Sequence, residues 1–415
     1  MTINYQLPIT YYPLPRMSHP ITEVFKLLAL LLSGAGIFLS SWIVIPAPNF
    51  TLLLLGIGAP EVSPWLLVLN ATAALISLLG IRDNWLQRLA LAASLVGLVI
   101  SALPLAQLPA TQQKMTTAMV EGLGADYMAK IPKQLYLQMR SHPFVLADTF
   151  RGIDTGIIRY TPKIKFAAPN GVPLSMDIYR PANTGKNPTL VVMYGGGWQN
   201  GSPSNNPEFS RYMAARGYTV FAIAYRHAPR DRFPAQLDDV RSALSFIQQH
   251  SDEYDADPER IALLGRSAGG HLAMLAAYQP DALPIRAVVN YYGPFNLTKG
   301  YREPPNPDPL NVRAVLEAFL GGTPEQLPDQ YAKASPITYV TRQLPATLLV
   351  HGSRDHIVEV RFARNMHKRL REANNTSVLL EIPWAEHSFD SIFQGPSNQL
   401  ALYYTERFLA WALLQ

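Results

Sequence analysis

No cysteine occurs among the 415 residues, which excludes disulfide frameworks, thiol catalysis and cysteine-ligated zinc. That absence suits either side of a bacterial membrane, so it does not locate the protein. Charge is scarce too: Asp, Glu, Lys and Arg make up 16% of the chain, against roughly 25% in soluble domains. The basic excess, a net charge of +5, is thinly spread and no Lys/Arg block appears, so no nucleic-acid partner is expected. There is no internal repeat and no low-complexity tract, and a hydrophobic content of 48% argues for a packed protein rather than a disordered one.

The shortage of charge is concentrated near the N-terminus. Between Lys26 and Arg82 the only ionisable side chain is Glu61, and between Arg88 and Lys114 there is none. A helix needs roughly 20 apolar residues to cross about 30 Å of hydrocarbon. Residues 27–45, 65–80 and 89–108 approach that length, and three transmembrane helices within residues 1–110 are the preferred reading. The middle stretch is short and carries Asn70, and residues 51–57 also fit a re-entrant or interfacial piece, so two or four crossings are the alternatives. Pro46, Pro48, Pro60 and Pro64 punctuate the first gap, and Arg82-Asp83-Asn84 reads as a turn closing the next segment. A cleaved signal peptide fits poorly, because the first apolar stretch begins late, is long and is followed by no small-x-small site. Buried helices of a soluble domain would show a polar face that these segments lack. Arg16 and Lys26 before the first span, with Arg82 and Arg88 in the second loop, favour a multi-pass protein of a bacterial inner membrane with its C-terminal portion on the outer side. Lys114, Lys130 and Lys133 weigh against that orientation.

Residues 111–162 read as a connecting segment, and the texture changes at 163. Short apolar runs at 164–166, 174–179, 190–194, 218–225, 260–264, 287–291, 346–350 and 377–382 have the look of strands, the first two joined by a turn at Pro169-Asn170-Gly171. Helical patterns near 207–216, 235–250, 268–278, 358–373 and 397–414 separate most of the others. That alternation predicts an α/β domain over 163–415, its mainly parallel sheet covered on both faces. Residues 295–344, proline-rich and irregular, read as an insertion or cap.

The chemistry is carried by one turn. The apolar run 260–264 leads straight into Gly265-Arg266-Ser267-Ala268-Gly269 and then into an apolar helix. A strand, a sharp turn and a helix place a serine hydroxyl at the strand end, with small residues where a side chain would clash. Ser267 is therefore the candidate nucleophile. A serine needs a base, and the base an acid to orient it, in the order serine, acid, histidine for this turn. Asp355 follows the apolar run 346–350 and His387 follows 377–382, so side chains at the ends of neighbouring parallel strands would converge on Ser267. His271 lies in the helix after the turn, His227 and His250 precede the serine, and His351 and His356 flank the acid, so none matches His387. Asp390 and Glu359 are the rival acids. Gly195-Gly196-Gly197-Trp198 closes another strand, and glycines let the main chain aim N–H groups at a substrate oxygen. Gly196, Gly197 and Ala268 form the candidate oxyanion hole.

These features together resemble the α/β-hydrolases of the hormone-sensitive-lipase-like group, near the acetyl- and feruloyl-esterases. The likeness runs from about Lys163 to Gln415 and includes Ala224-Tyr225-Arg226-His227-Ala228-Pro229, Phe233-Pro234-Ala235 and Asp238-Asp239. It implies an eight-stranded, mostly parallel sheet and cleavage of carboxylic esters through an acyl-enzyme, without metal or organic cofactor. Two positions depart from the pattern: Tyr194 stands where a histidine usually introduces the glycine run, and Arg266 where an acid usually precedes the serine. Tyr194 can brace the loop through its phenol. Arg266 reads as a surface or cap salt bridge, or alternatively as a recognition group for an anionic ester. The expected protein is a membrane-anchored serine esterase acting on a small-molecule or lipid ester. The alternatives are a lipase or acyltransferase using bilayer lipids and a noncatalytic binding module. Acyl length, alcohol and oligomeric state are left open by the sequence.

Overall fold

The computed structural model describes residues 20–79 and 85–413, so Arg16 and the Arg82-Asp83-Asn84 turn lie outside the described residues. Four apolar helices come first: α1 (Pro20–Ser41), α2 (Phe50–Glu61), α3 (Ser63–Leu79) and α4 (Trp85–Leu123). Glu23–Ser41 and α4 are long and apolar enough to cross a bilayer, and α2 with α3, bent by 83° at their junction, makes a third if the pair counts as one span. The first helix stops at Ser41 instead of running to residue 45, and α2 starts afresh where Asn49 caps it by accepting from Leu52 N at 3.0 Å.

Helices α1, α3 and α4 pack with their apolar side chains outward. Val24, Leu31, Phe38, Val68, Leu75, Leu89 and Val99 are exposed, whereas Ser33, Ser40, Asn70, Ser94 and Ser101 are buried. Ser33 and Ser94 share a 2.8 Å hydrogen bond, and Asn70 Nδ2 donates to Ser40 Oγ at 2.9 Å. A Cβ on Gly36 or Gly97 would fall 2.3 or 2.2 Å from Asn70 Oδ1, so only glycine admits the close approach. Small and polar residues inside with large apolar ones outside is the packing that suits a hydrocarbon solvent.

The 39 residues of α4 correspond to about 58 Å of helix. Arg88 near its start is exposed; from Leu89 to Leu103 its exposed side chains are apolar, and from Gln113 they include Lys114, Thr116, Thr117 and Glu121. Over that second part Met115, Met119 and Leu123, on one helical stripe, are buried against the sheet, where Gly122 sits so close that a Cβ would meet Val378 Cγ2 at 2.5 Å. The helix is continuous across residue 110. The next segment holds two short helices, α5 (Lys133–Tyr136) and α6 (Leu146–Arg151). Buried Arg140 between them pairs with Asp148 at 3.0 Å and reaches Gln399 Oε1 at 2.9 Å, fixing the segment to the last helix of the chain.

Eight strands follow: β1 (Ile158–Ala167), β2 (Leu174–Pro181), β3 (Asn187–Met193), β4 (Thr219–Ile223), β5 (Ala256–Arg266), β6 (Ala287–Tyr291), β7 (Ala346–Gly352) and β8 (Ser377–Ile382). They form one sheet in the order β1-β2-β4-β3-β5-β6-β7-β8. Only the β1–β2 and β2–β4 pairings are antiparallel. The intervening helices are α7 (Pro207–Ala214), α8 (Ala235–Gln249), α9 (Ala268–Tyr278), α10 (Leu297–Arg302), α11 (Val312–Leu320), α12 (Pro328–Lys333) and α13 (Val360–Glu372), and α14 (Pro396–Leu413) closes the chain. Strand residues alternate between two cores, Val191 and Met193 facing α8, α9 and α13, and Leu190 and Val192 facing α7, α14 and the end of α4. Between β6 and β7, α10, α11 and α12 lie over the carboxyl ends of the parallel strands.

Replacing Gly97 by Leu should lower the thermal stability of the detergent-solubilised protein by at least about 2 kcal/mol through overpacking against Asn70. Val99→Leu on the outer face should leave it unchanged, as read by the unfolding midpoint.

Candidate active site

β5 ends at Arg266 and α9 begins at Ala268, which leaves Ser267 alone in the turn with φ 51° and ψ −119°. That conformation is rare for a residue with a Cβ and persists only where its surroundings enforce it. Here Ser267 N donates to Tyr291 O at 2.9 Å, and His271 N donates to Ser267 O at 3.0 Å. A Cβ on Gly265 would lie 2.1 Å from Gly269 O, and one on Gly269 would lie 2.3 Å from Met193 O. The two glycines thus let β3, β5 and α9 crowd together, and Ser267 stands at the carboxyl end of the central strand β5, at the positive end of the α9 dipole.

The loops after β7 and β8 bring two further side chains to it. His387 Nε2 lies 2.9 Å from Ser267 Oγ, and His387 Nδ1 lies 2.8 Å from Asp355 Oδ2. The other oxygen of Asp355 accepts from Ile357 N at 2.9 Å and Val358 N at 2.8 Å. Burial opposes ionisation of Asp355, but the rings of His387 and His351 and their hydrogen bonds outweigh it and hold the carboxyl well below its ordinary range. At neutral pH it is a carboxylate, so a neutral His387 carries its proton on Nδ1 and turns the Nε2 lone pair toward the hydroxyl.

Sequence reasoning passed over Glu386. Its buried carboxylate accepts from His356 N at 2.7 Å and from His387 N at 2.9 Å, and it pairs with His356 Nδ1 at 2.5 Å. This one side chain therefore joins the loop of Asp355 to the loop of His387. Its only signal in the sequence is an acid directly before the histidine.

Gly196 and Gly197 lie beside the serine with φ of 128° and 58°, values that favour glycine. Among the described residues, the N–H groups of Gly196, Gly197 and Ala268 donate to no protein acceptor. Trp198, also at positive φ, is buried between Phe319 of α11, stacked at 4.1 Å, and His271, whose Nδ1 accepts from Trp198 Nε1 at 3.2 Å. His271 Nε2 bonds Ala334 O at 2.6 Å, and burial pushes its pKa down to about 4. The ring is thus a neutral strut between the glycine loop and the cap. Tyr194 braces the same loop, its hydroxyl 3.0 Å from His227 Nε2 and its ring stacked on Tyr225 at 4.4 Å.

The remaining candidates are occupied elsewhere. Arg266 is buried and ion-paired with Asp390, whose other oxygen accepts from Tyr292 Oη. Neither the surface or cap salt bridge nor the free recognition group expected for Arg266 is present, because its charge is neutralised inside the loop that carries His387. Glu359 pairs with Arg361 at 2.6 Å, and His250 Nδ1 bonds Phe246 O at 2.9 Å.

Two cavities meet at Ser267. One offers 60 Å³ and is lined by apolar side chains of the cap and its surroundings, including Phe295, Leu297, Val312, Leu316 and Phe362. The other, of 650 Å³, contains Ser267, His387 and the three glycines and extends to α2.

The family model BD-FAE matches residues 176–370, which bracket the glycine loop, Ser267 and Asp355. Esterase 2 of Thermogutta terrifontis, in a form phosphonylated by sarin, superposes with a TM-score of 0.51 over 62% of this chain and 94% of that one, at 24% identity. The chain has the α/β-hydrolase fold. Two relatives from Mycobacterium tuberculosis align with this chain. The probable carboxylic ester hydrolase LipM is 32% identical over 57% of this chain and 57% of its own length. Esterase LipC is 35% identical over 49% of this chain and 53% of its own length. The chain thus spans little more than half the length of these relatives.

Because His271 has a folded-state pKa near 4 against an ordinary 6.5, its contribution to stability is complete above pH 6.5 and is lost as pH falls toward 4. The loss should approach about 3 kcal/mol. Unfolding midpoints from pH 7 to 4.5 should show the advantage of wild type over His271→Gln shrinking with acidification.

Proposed function

We propose that this α/β-hydrolase is a membrane-anchored serine carboxylesterase. The observation that carries the reading is the unbroken hydrogen-bonded line from Asp355 through His387 to Ser267 at a strained strand-to-helix turn. His387 takes the proton of Ser267 as its oxygen attacks the ester carbonyl, and Asp355 stabilises the imidazolium that forms. The N–H groups of Gly196, Gly197 and Ala268 receive the oxyanion, an interaction worth several kcal/mol because it is strongest in the transition state. The alcohol departs with the proton from His387, and water, activated by the same ring, hydrolyses the acyl-serine. Similarity to LipM and LipC supports ester cleavage as the reaction class.

The outward-facing apolar side chains of α1, α3 and α4 support anchoring in a bilayer, with the catalytic portion at the outer face. The change from apolar to polar exposure along α4 marks where that helix leaves the lipid, and Lys114 beyond it belongs to the part packed on the sheet.

Ser267→Ala should reduce hydrolysis of short-chain p-nitrophenyl esters by at least about a thousandfold with the unfolding midpoint unchanged. Retained turnover would refute the assigned nucleophile. A reporter active only outside the inner membrane, fused after Gln415, should be active, and activity of a cytoplasm-only reporter would reverse the orientation.

A further inference from the structure

The larger cavity at Ser267 is closed on one side by a helix that does not belong to the α/β domain. Phe50, Leu53, Leu54 and Ile57 of α2 form its far wall. Their spacing places all four on one helical stripe, and Phe50 and Leu54 are 57% and 62% exposed. Phe50 and Leu54 of that stripe thus stand uncovered in the cavity of the proposed nucleophile, whereas Leu53 is buried.

α2 is fixed there from both ends. Before it, Arg354, next to Asp355, donates to Val44 O at 2.6 Å. At its end, buried Glu61 accepts from Ser397 N at 3.0 Å and Ser397 Oγ at 2.5 Å, capping the start of α14. The helix is therefore tied to the acid loop and to the helix that follows the histidine loop. The 83° bend to α3 sets α2 across the direction of its neighbour. With α3 along the bilayer normal, α2 lies in the plane of the membrane surface, between lipid and active site.

The carboxamide residues Gln199, Asn200, Asn205 and Asn206 also line this cavity, beside apolar Leu310, Val315 and Ile357, and Arg266, which reaches it too, is ion-paired with Asp390. Carboxamides donate and accept hydrogen bonds, which suits hydroxyl groups better than phosphates or carboxylates. The second cavity, of 60 Å³ and with a mostly apolar lining that also includes Asn296 and Glu303, suits a short acyl group.

We infer that the substrate is a short-chain acyl ester of a neutral, polyhydroxylated amphiphile resident in the membrane. Its hydrocarbon tail lies along the α2 stripe, its hydroxyls face the carboxamides and its acyl group enters the pocket under the cap. This rests on the esterase reading and specifies its substrate. The bond from the acyl carbon to the polyol oxygen breaks, the released hydroxyl takes the proton from His387, and water cleaves the acyl-serine to give a short carboxylic acid. The deacylated amphiphile stays in the bilayer.

The test uses the full-length protein in phosphatidylcholine vesicles with 6-O-acetyl alkyl glucosides of methyl to dodecyl tail, dodecyl acetate and p-nitrophenyl acetate. For wild type, kcat/KM should rise at least about tenfold from the methyl to the dodecyl glucoside, the effect of burying two or three methylenes. Phe50→Gln and Leu54→Gln, each on an exposed side chain, should collapse that ratio toward one. Labelling of Ser267 by a fluorophosphonate identifies the variants whose site is assembled. Dodecyl acetate, which lacks hydroxyls, should be turned over about tenfold more slowly than the acetylated dodecyl glucoside, as expected for the loss of one or two hydrogen bonds. A ratio that is flat in wild type or intact in both labelled variants overturns the role of α2. Equal turnover of dodecyl acetate overturns the polyol headgroup. Both results leave the esterase reading standing if p-nitrophenyl acetate is cleaved, whereas a wild-type protein inert toward p-nitrophenyl acetate removes that reading and this inference with it.

Discussion

The close approach of β3, β5 and α9 at Ser267 is the constraint on which the site depends. Two glycines without side chains, Gly265 and Gly269, let main chain meet main chain, and the residue between β5 and α9 is left at φ 51°. The strain of that backbone is sustained by hydrophobic cores on both faces of the sheet and by the hydrogen bond to Tyr291 O at 2.9 Å. Once the serine is fixed at the strand end, parallel strand order brings the loops after β7 and β8 to the same edge, and Glu386 and Trp198 set the distances between loops.

A second constraint joins the apolar helices to this edge. Glu61 is the one acid in a long apolar stretch, and its side-chain oxygens cap α14, which starts nine residues after His387. α4 continues under the sheet as part of its core, and Arg140 fixes the following segment to Gln399. The apolar region is therefore built into the α/β domain rather than joined by a flexible tether. Geometry at Ser267 and the position of α2 are consequences of one packing arrangement.

Much of this was legible in the sequence because it is local. Strands, the glycines around Ser267 and the loop positions of Asp355 and His387 follow from periodicity and from the steric demands of a sharp turn. The sheet beyond β1 follows the apolar runs closely, and β1 itself extends further, to Ile158, because its exposed positions hide it among polar residues. What escaped depends on contacts between residues far apart in the chain. Arg266 meets Asp390, and Glu61 meets Ser397, across separations of 124 and 336 residues that no local pattern encodes. The turn of α2 over the cleft was equally hidden, since residues 51–57 read as apolar whichever surface they face. Tyr194 was legible in part: a phenol can brace a loop, but His227 as its partner emerges only from the fold.

The most direct test of the proposed chemistry is tandem mass spectrometry of the full-length protein after reaction with a fluorophosphonate. A single adduct on Ser267 is expected, forming at least about a hundredfold more slowly in His387→Ala, because the hydroxyl is activated only through that ring. An unmodified Ser267, or an adduct whose rate ignores His387, would contradict it.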